Sequence, residues 1–271
     1  MSGLHQGGAL VFAWILLGSP ILGAQEKAAE RSPTSEEQER FIASTREAAL
    51  AYSDRLPDFV CAQTVDRFVD HGHGLMRIDS LTFETTYYRR QEVSKPTFRN
   101  GSPASQLAGS DGLLSRGEFG ENLRRIFAPN NEAQFHFEKW TSLRGQRAAL
   151  YTYQVDGSKA AYLVTAFGGD ASGAVVVGLR GEIVIDAANF SVLRVVYVAD
   201  GIPSDFPVRS TRITVDYENA SVGGIQYLLP SKAVVVLSRS GNYEARNESA
   251  FRRYRKFSAD SVIDFGGDVP R

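Results

Sequence analysis

The chain has 271 residues, with 30 Lys+Arg against 31 Asp+Glu, four His and one Cys. Near-neutral charge removes the electrostatic case for a nucleic-acid partner, which needs an excess of positive charge. A lone cysteine excludes an intramolecular disulfide framework, a cysteine zinc site and an iron–sulfur cluster.

Gly8 to Ala24 carries no charge and ends in Leu22-Gly23-Ala24, a small-residue ending of the kind signal peptidase accepts. Residues 1–24 therefore read as an export signal, cleaved between Ala24 and Gln25. A retained anchor is the rival reading, but the run is short for a bilayer span and Gly18 and Pro20 interrupt it. No later stretch is as long and apolar, so no transmembrane segment is expected after signal removal. The mature protein is expected outside the cytoplasm, in the periplasm or beyond the cell.

Residues 25–34 are polar and read as a flexible leader, with 35–271 as a single antiparallel β-rich domain. Ser35 offers an N-cap hydroxyl with Gln38 three residues on, and Phe41, Ile42, Ala48, Ala49 and Tyr52 recur at helical spacing. Leu56-Pro57 ends that helix. From Phe59 the period shifts to two. A strand is predicted over Phe59–Asp70, a turn at His71–Gly74, a return strand over Met76–Gln91 and a mobile loop over Lys95–Gly112.

A second helix is predicted from a Ser115–Glu118 capping pair, with Phe119, Leu123, Ile126 and Phe127 as its apolar stripe and Pro129 as its stop. Gly117 and Gly120 weaken its first turn. Strands follow one another to the end of the chain. They are read over Gln134–Trp140, Gln146–Val155, Ala160–Phe167, Ala174–Gly178, Glu182–Asp186, Ser191–Val198, Arg209–Glu218, Gly224–Leu229, Lys232–Ser238, Tyr243–Phe257 and Ser261–Phe265. Their short links imply antiparallel neighbours. The fold class is α+β, mainly β: a long curved antiparallel sheet, a half-barrel or open barrel, with two helices packed on one face.

Chemistry is sparse. No GxSxG elbow occurs, and Gly168–Gly173 lacks the GK[ST] ending of a phosphate loop. Cys61 in its apolar strand reads as a small buried residue rather than a nucleophile. His71 and His73 could hold a metal with a third ligand such as Asp70, although the flanking Gly72 and Gly74 suit a plain exposed turn. His136, between Phe135 and Phe137, is expected to face solvent or a polar partner, and Asp216 and Glu218 are too commonplace in a strand to mark a glycosidase. Arg252-Arg253-Tyr254-Arg255-Lys256 reads either as a contact for an anionic surface or as a charged strand that resists edge-to-edge association. No catalytic residue, metal or cofactor is assigned.

The leading helix and the run of strands, together with Gly181–Asp186 (GEIVID), Val192–Val195 (VLRV), Val215-Asp216-Tyr217, Gly224 and Leu229-Pro230, distantly resemble the bacterial lipoprotein-carrier superfamily of LolA and LolB. Leu56–Cys61 and Ser115–Gly120 resemble segments of uncharacterised secreted bacterial proteins. The superfamily resemblance implies a half-open barrel whose helices form a lid over an apolar cavity for acyl chains. It points to a non-enzymatic exported protein that binds lipid or another amphipathic ligand, and it assigns no functional residue; the apolar stripe Phe119, Leu123, Ile126 and Phe127 reads either as the lid or as plain core. The alternative is a protein-interaction or envelope-scaffold module, partnered by an envelope protein and holding no small ligand.

Overall fold

The computed structural model describes residues 31–106, 117–166 and 173–257. The predicted export signal, Ser115 and the predicted strand Ser261–Phe265 lie outside them.

Helix α1 (Ser35–Arg55) starts one residue earlier than its sequence signal suggests. Thr34 is the N-cap, and it forms a reciprocal capping box with Glu37. After α1 come β1 (Phe59–Asp70), β2 (Met76–Tyr88), β3 (Gln91–Arg99) and the two-residue β4 (Ser102–Pro103). Next are α2 (Glu121–Phe127), β5 (Gln134–Leu143), β6 (Gln146–Val155), the one-turn α3 (Gly157–Ala160) and β7 (Tyr162–Ala166). The chain continues through β8 (Gly173–Asp186), β9 (Val192–Asp200), β10 (Val208–Val222), β11 (Ile225–Arg239) and β12 (Tyr243–Lys256).

The strands form one open antiparallel sheet in the order β4-β3-β2-β1-β12-β11-β10-β9-β8-β6-β5, with β7 on β8. This is the mainly β, half-open architecture expected from the sequence. Side chains on the inner face of the strands share the main core with α1 and α2, including Phe59, Cys61, Tyr151, Ile183, Val195, Val215 and Phe251.

Four departures from the expected elements have local causes. The Lys95–Gly112 loop begins instead as strand β3, entered through an Arg89-Arg90 turn with φ of 50° and 65°, a left-handed pair that carries no Asn or Gly signal. Pro96 is tolerated there because it sits at a register shift opposite Phe83. The predicted break at Arg180-Gly181 does not occur, and β8 runs through it. Gly181 serves close packing instead: a Cβ there would lie 1.9 Å from the Val196 carbonyl oxygen, and Tyr153, opposite it, crosses to donate to that oxygen at 2.9 Å. Likewise β11 is continuous through Pro230, beside a register shift between Asp216 and Tyr217. Finally, Gly117 and Gly120 do not belong to the second helix. Their φ values of 91° and 115° build the turn before it, and α2 starts only at Glu121.

Candidate functional site

The predicted lid residues converge on one surface. Phe119, in the turn ahead of α2, meets Phe59 of β1, Tyr87 of β2 and Phe251 of β12 at ring distances of 5.2, 5.8 and 5.7 Å. At the other end of the segment Phe127 stacks on Phe135 of β5 at 5.2 Å. β2 and β5 lie near opposite ends of the strand order, so this short segment bridges the two arms of the open sheet. Leu123 and Ile126 are buried between them, and all four side chains are at most 3% exposed.

Polar holds on α2 lie at its edge. Arg124 donates to Ser53 Oγ at 3.1 and 2.8 Å and to Asp54 at 3.0 Å, tying α2 to the end of α1. The helix has seven residues and no side-chain N-cap, too short to be stable without the surface beneath it. Below it, Tyr217 donates to the Glu118 carbonyl oxygen at 2.9 Å. Burial keeps the Tyr197 and Tyr217 phenols protonated far above the usual range, with Tyr217 raising Tyr197 further and the Glu118 carboxylate raising Tyr217. The phenols that α2 covers are therefore neutral, in an aromatic-rich surface that also buries the Glu118 side chain.

A second feature opens between β11 and β12. The two strands pair only from Lys232↔Ala250 onward, and beyond that point they part. There β12 stays with β1 and β11 stays with β10. A cavity of about 370 Å³ occupies the fork, lined by residues that include Leu229, Pro230, Phe251, Arg252, Arg253 and Tyr254. Tyr254 closes its inner end by donating to the Pro230 carbonyl oxygen at 2.6 Å. Beside it β12 bulges: Val60 pairs with Arg255 but Ala62 with Arg252, and Arg253 takes a φ of 57°. Burial raises the Tyr254 phenol well above its ordinary value, so it remains a donor.

The other sequence candidates separate. Cys61 is buried, and burial, reinforced by the Glu92 carboxylate, pushes its thiol up to about 12. His71 and His73 are exposed, and Asp70 Oδ1 accepts from the amides of Gly72, His73 and Gly74, which makes it the organiser of the turn. Among the described residues no group of three or more His, Cys, Asp or Glu is arranged to hold a metal. His136 is exposed on β5. Asp216 is engaged by Arg194 at 2.7 and 3.0 Å and by Arg144 at 3.3 Å, and Glu218 lies 3.7 Å from Arg144. Within the basic run, Arg255 pairs with Glu84 at 2.7 Å, while Arg252 and Arg253 line the fork. The run was visible in the sequence. The fork was not, because it depends on where two strands stop pairing.

No family model and no curated protein matches the sequence. Among solved structures the chain is similar to a LolA superfamily protein from Nitrosomonas europaea, at 11% identity and a TM-score of 0.40 over 80% of this chain and 94% of that one. It is also similar to a DUF1329 family protein from Desulfovibrio piger, at 10% identity and a TM-score of 0.37 over 84% and 95%. The resemblance to the LolA superfamily is thus a distant one. No helix among the described residues is long and apolar enough to cross a membrane.

Proposed function

We propose that this chain is exported, loses residues 1–24 and acts without catalysis as a binding protein for a lipid or other amphipathic ligand. One observation carries the reading: Phe119 and Phe127, at the two ends of one short segment, reach the two arms of an open sheet, with Leu123 and Ile126 buried along the same segment. Apolar contact is non-directional, so an acyl chain can replace those side chains on the same surface at little cost. In this reading Phe119, Leu123, Ile126 and Phe127 are the lid, and they fill the ligand space while it is closed.

The test uses the full chain expressed in an exporting host, purified gently and examined by native mass spectrometry and organic extraction. The expected result is cleavage after Ala24 and a stoichiometric extra mass that extracts as lipid. Replacing Phe119 and Phe127 by Ser is expected to release that mass while a cooperative unfolding transition persists. A clean ligand-free mass, with no uptake from added phospholipid or fatty acid, would overturn the carrier reading. It would favour the protein-interaction module, for which Met76, Ile78 and Phe98, 58%, 45% and 43% exposed on β2 and β3, are the apolar contact group.

A further inference from the structure

We infer that the fork between β11 and β12 is the headgroup site of this ligand, and that Arg252 and Arg253 clamp a phosphate or carboxylate there. The inference rests on the carrier reading and adds a ligand class to it: an anionic single-chain amphipath.

Three independent features meet at the fork. The first is space. About 370 Å³ is within the usual range for ligand pockets, roughly 300–1,000 Å³, and holds a headgroup with the first part of a chain. The second is free charge. Arg252 and Arg253 are exposed, and among the described residues neither guanidinium has an ion pair or hydrogen bond, although most neighbouring arginines do. Glu218 is the one carboxylate on the lining, and its nearest ion-pair partner is Arg144 at 3.7 Å rather than either fork arginine. The third is backbone. A positive φ at a non-glycine residue costs about 1–2 kcal/mol, and Arg253 adopts one within a bulge that puts two arginines side by side at the cavity. A plain charged edge needs neither the bulge nor the cavity. Two adjacent guanidinium forks match the oxygens of a phosphate or carboxylate.

The fork also leads to the lid. Phe251 lines the cavity and packs against Phe119 at 5.7 Å, so a chain attached to an anion at the arginines passes Phe251 on its way under α2. Leu229 and the Tyr254 ring extend the apolar wall on that side.

The test compares dodecyl phosphate, dodecanol and inorganic phosphate by titration calorimetry on the purified protein, with Arg252→Gln/Arg253→Gln and Arg252→Lys/Arg253→Lys variants. Dodecyl phosphate is expected to bind more tightly than either fragment and to weaken with added salt. Its affinity should fall about tenfold per arginine removed, to the level of dodecanol, with partial recovery in the Lys variant. Both guanidinium groups are exposed, so the thermal unfolding of the variants should match that of the parent. Equal binding of dodecyl phosphate and dodecanol, or no change in the Gln variant, overturns the arginine clamp and leaves the carrier reading standing. Inorganic phosphate binding as tightly as dodecyl phosphate assigns the site to a free anion and overturns the amphipath. If none of the three probes binds, the headgroup site is refuted, and co-purified lipid decides the carrier reading separately.

Discussion

The inner face of β1 changes character halfway along. Phe59 and Cys61, at the α1–α2 end, belong to the aromatic main core. Further along the same strand and face, the Thr85 hydroxyl donates to Gln63 at 3.1 Å and lies 2.9 Å from Ser94 Oγ. Arg67 grips Asp79 with two hydrogen bonds of 2.6 and 2.7 Å, and Arg99 reaches Asp79 at 2.9 Å. Both halves are buried, with Phe59 at 0% and Arg67 at 5% exposure. The first half gains from removing apolar area, and any apolar group of suitable shape serves. The second half also packs Val65 on Leu81 and Phe83, but its polar groups depend on specific partners, since losing one strands a buried charge. On the proposed reading, a ligand chain would replace side chains of the aromatic first half and not the paired polar groups of the second.

The largest effect expected from breaking this contrast is in the second half. Arg67→Ala should cost about 3 kcal/mol, the low end for a broken buried pair because Arg99 still reaches Asp79, read as a lower urea midpoint at unchanged slope. Replacing the pair together, Arg67→Met with Asp79→Leu, should restore most of that loss. A single variant as stable as the parent would mean that water reaches Asp79 and that the polar half is not sealed.

A smaller effect is expected where the turn before α2 meets α1. Gly120 has a φ of 115°, and a Cβ there would stand 3.0 Å from Tyr52 Cδ1 and 3.1 Å from Ser53 Cβ. Gly120→Ala should cost about 1–2 kcal/mol from the backbone alone and loosen α2 first. Hydrogen exchange should then rise in residues 121–127 before it rises in β1. Uniform exchange through both would show that α2 and the sheet unfold as one unit.

The smallest effect concerns acid. The Arg67 hydrogen bond, opposed by partial desolvation and helped by the charges of Arg67 and Arg99, holds the Asp79 carboxyl below its ordinary value. The unfolded chain then binds the proton more readily than the native one. This stabilisation is complete above the unfolded value of about 3.9 and is lost as pH falls through the lowered native value. Denaturant midpoints measured between neutral pH and pH 2 should fall less steeply in the Arg67→Met/Asp79→Leu variant. An identical slope would assign the acid sensitivity to other carboxylates.

The sequence was most legible where periodicity is local. β1 and β6 match their predicted bounds of Phe59–Asp70 and Gln146–Val155, because alternation within one strand needs no partner to be read. β8 and β11 were each read as two strands, since Gly181 and Pro230 look like breaks in isolation. Gly181 is instead required by the Val196 backbone and Pro230 is accommodated by a register shift, both set by a neighbouring strand. The apolar stripe Phe119–Phe127 was visible, but that it joins β1 and β2 to β5 was not.

By itself the sequence determined most of the element types, the antiparallel order implied by short links, and the chemistry of the side chains on offer: an aromatic-rich interior, one buried thiol and a basic run at residues 252–256. Tertiary structure alone decided that α2 spans the two arms, that Arg67 finds Asp79, and that β11 leaves β12 at Lys232 and opens a cavity beside Arg252 and Arg253. The reason is physical. Local patterns reflect the repeat of the backbone, which each segment carries within itself, whereas arms, ion pairs and forks arise where distant segments meet, and their geometry is fixed by which pairings bury most and leave least unpaired.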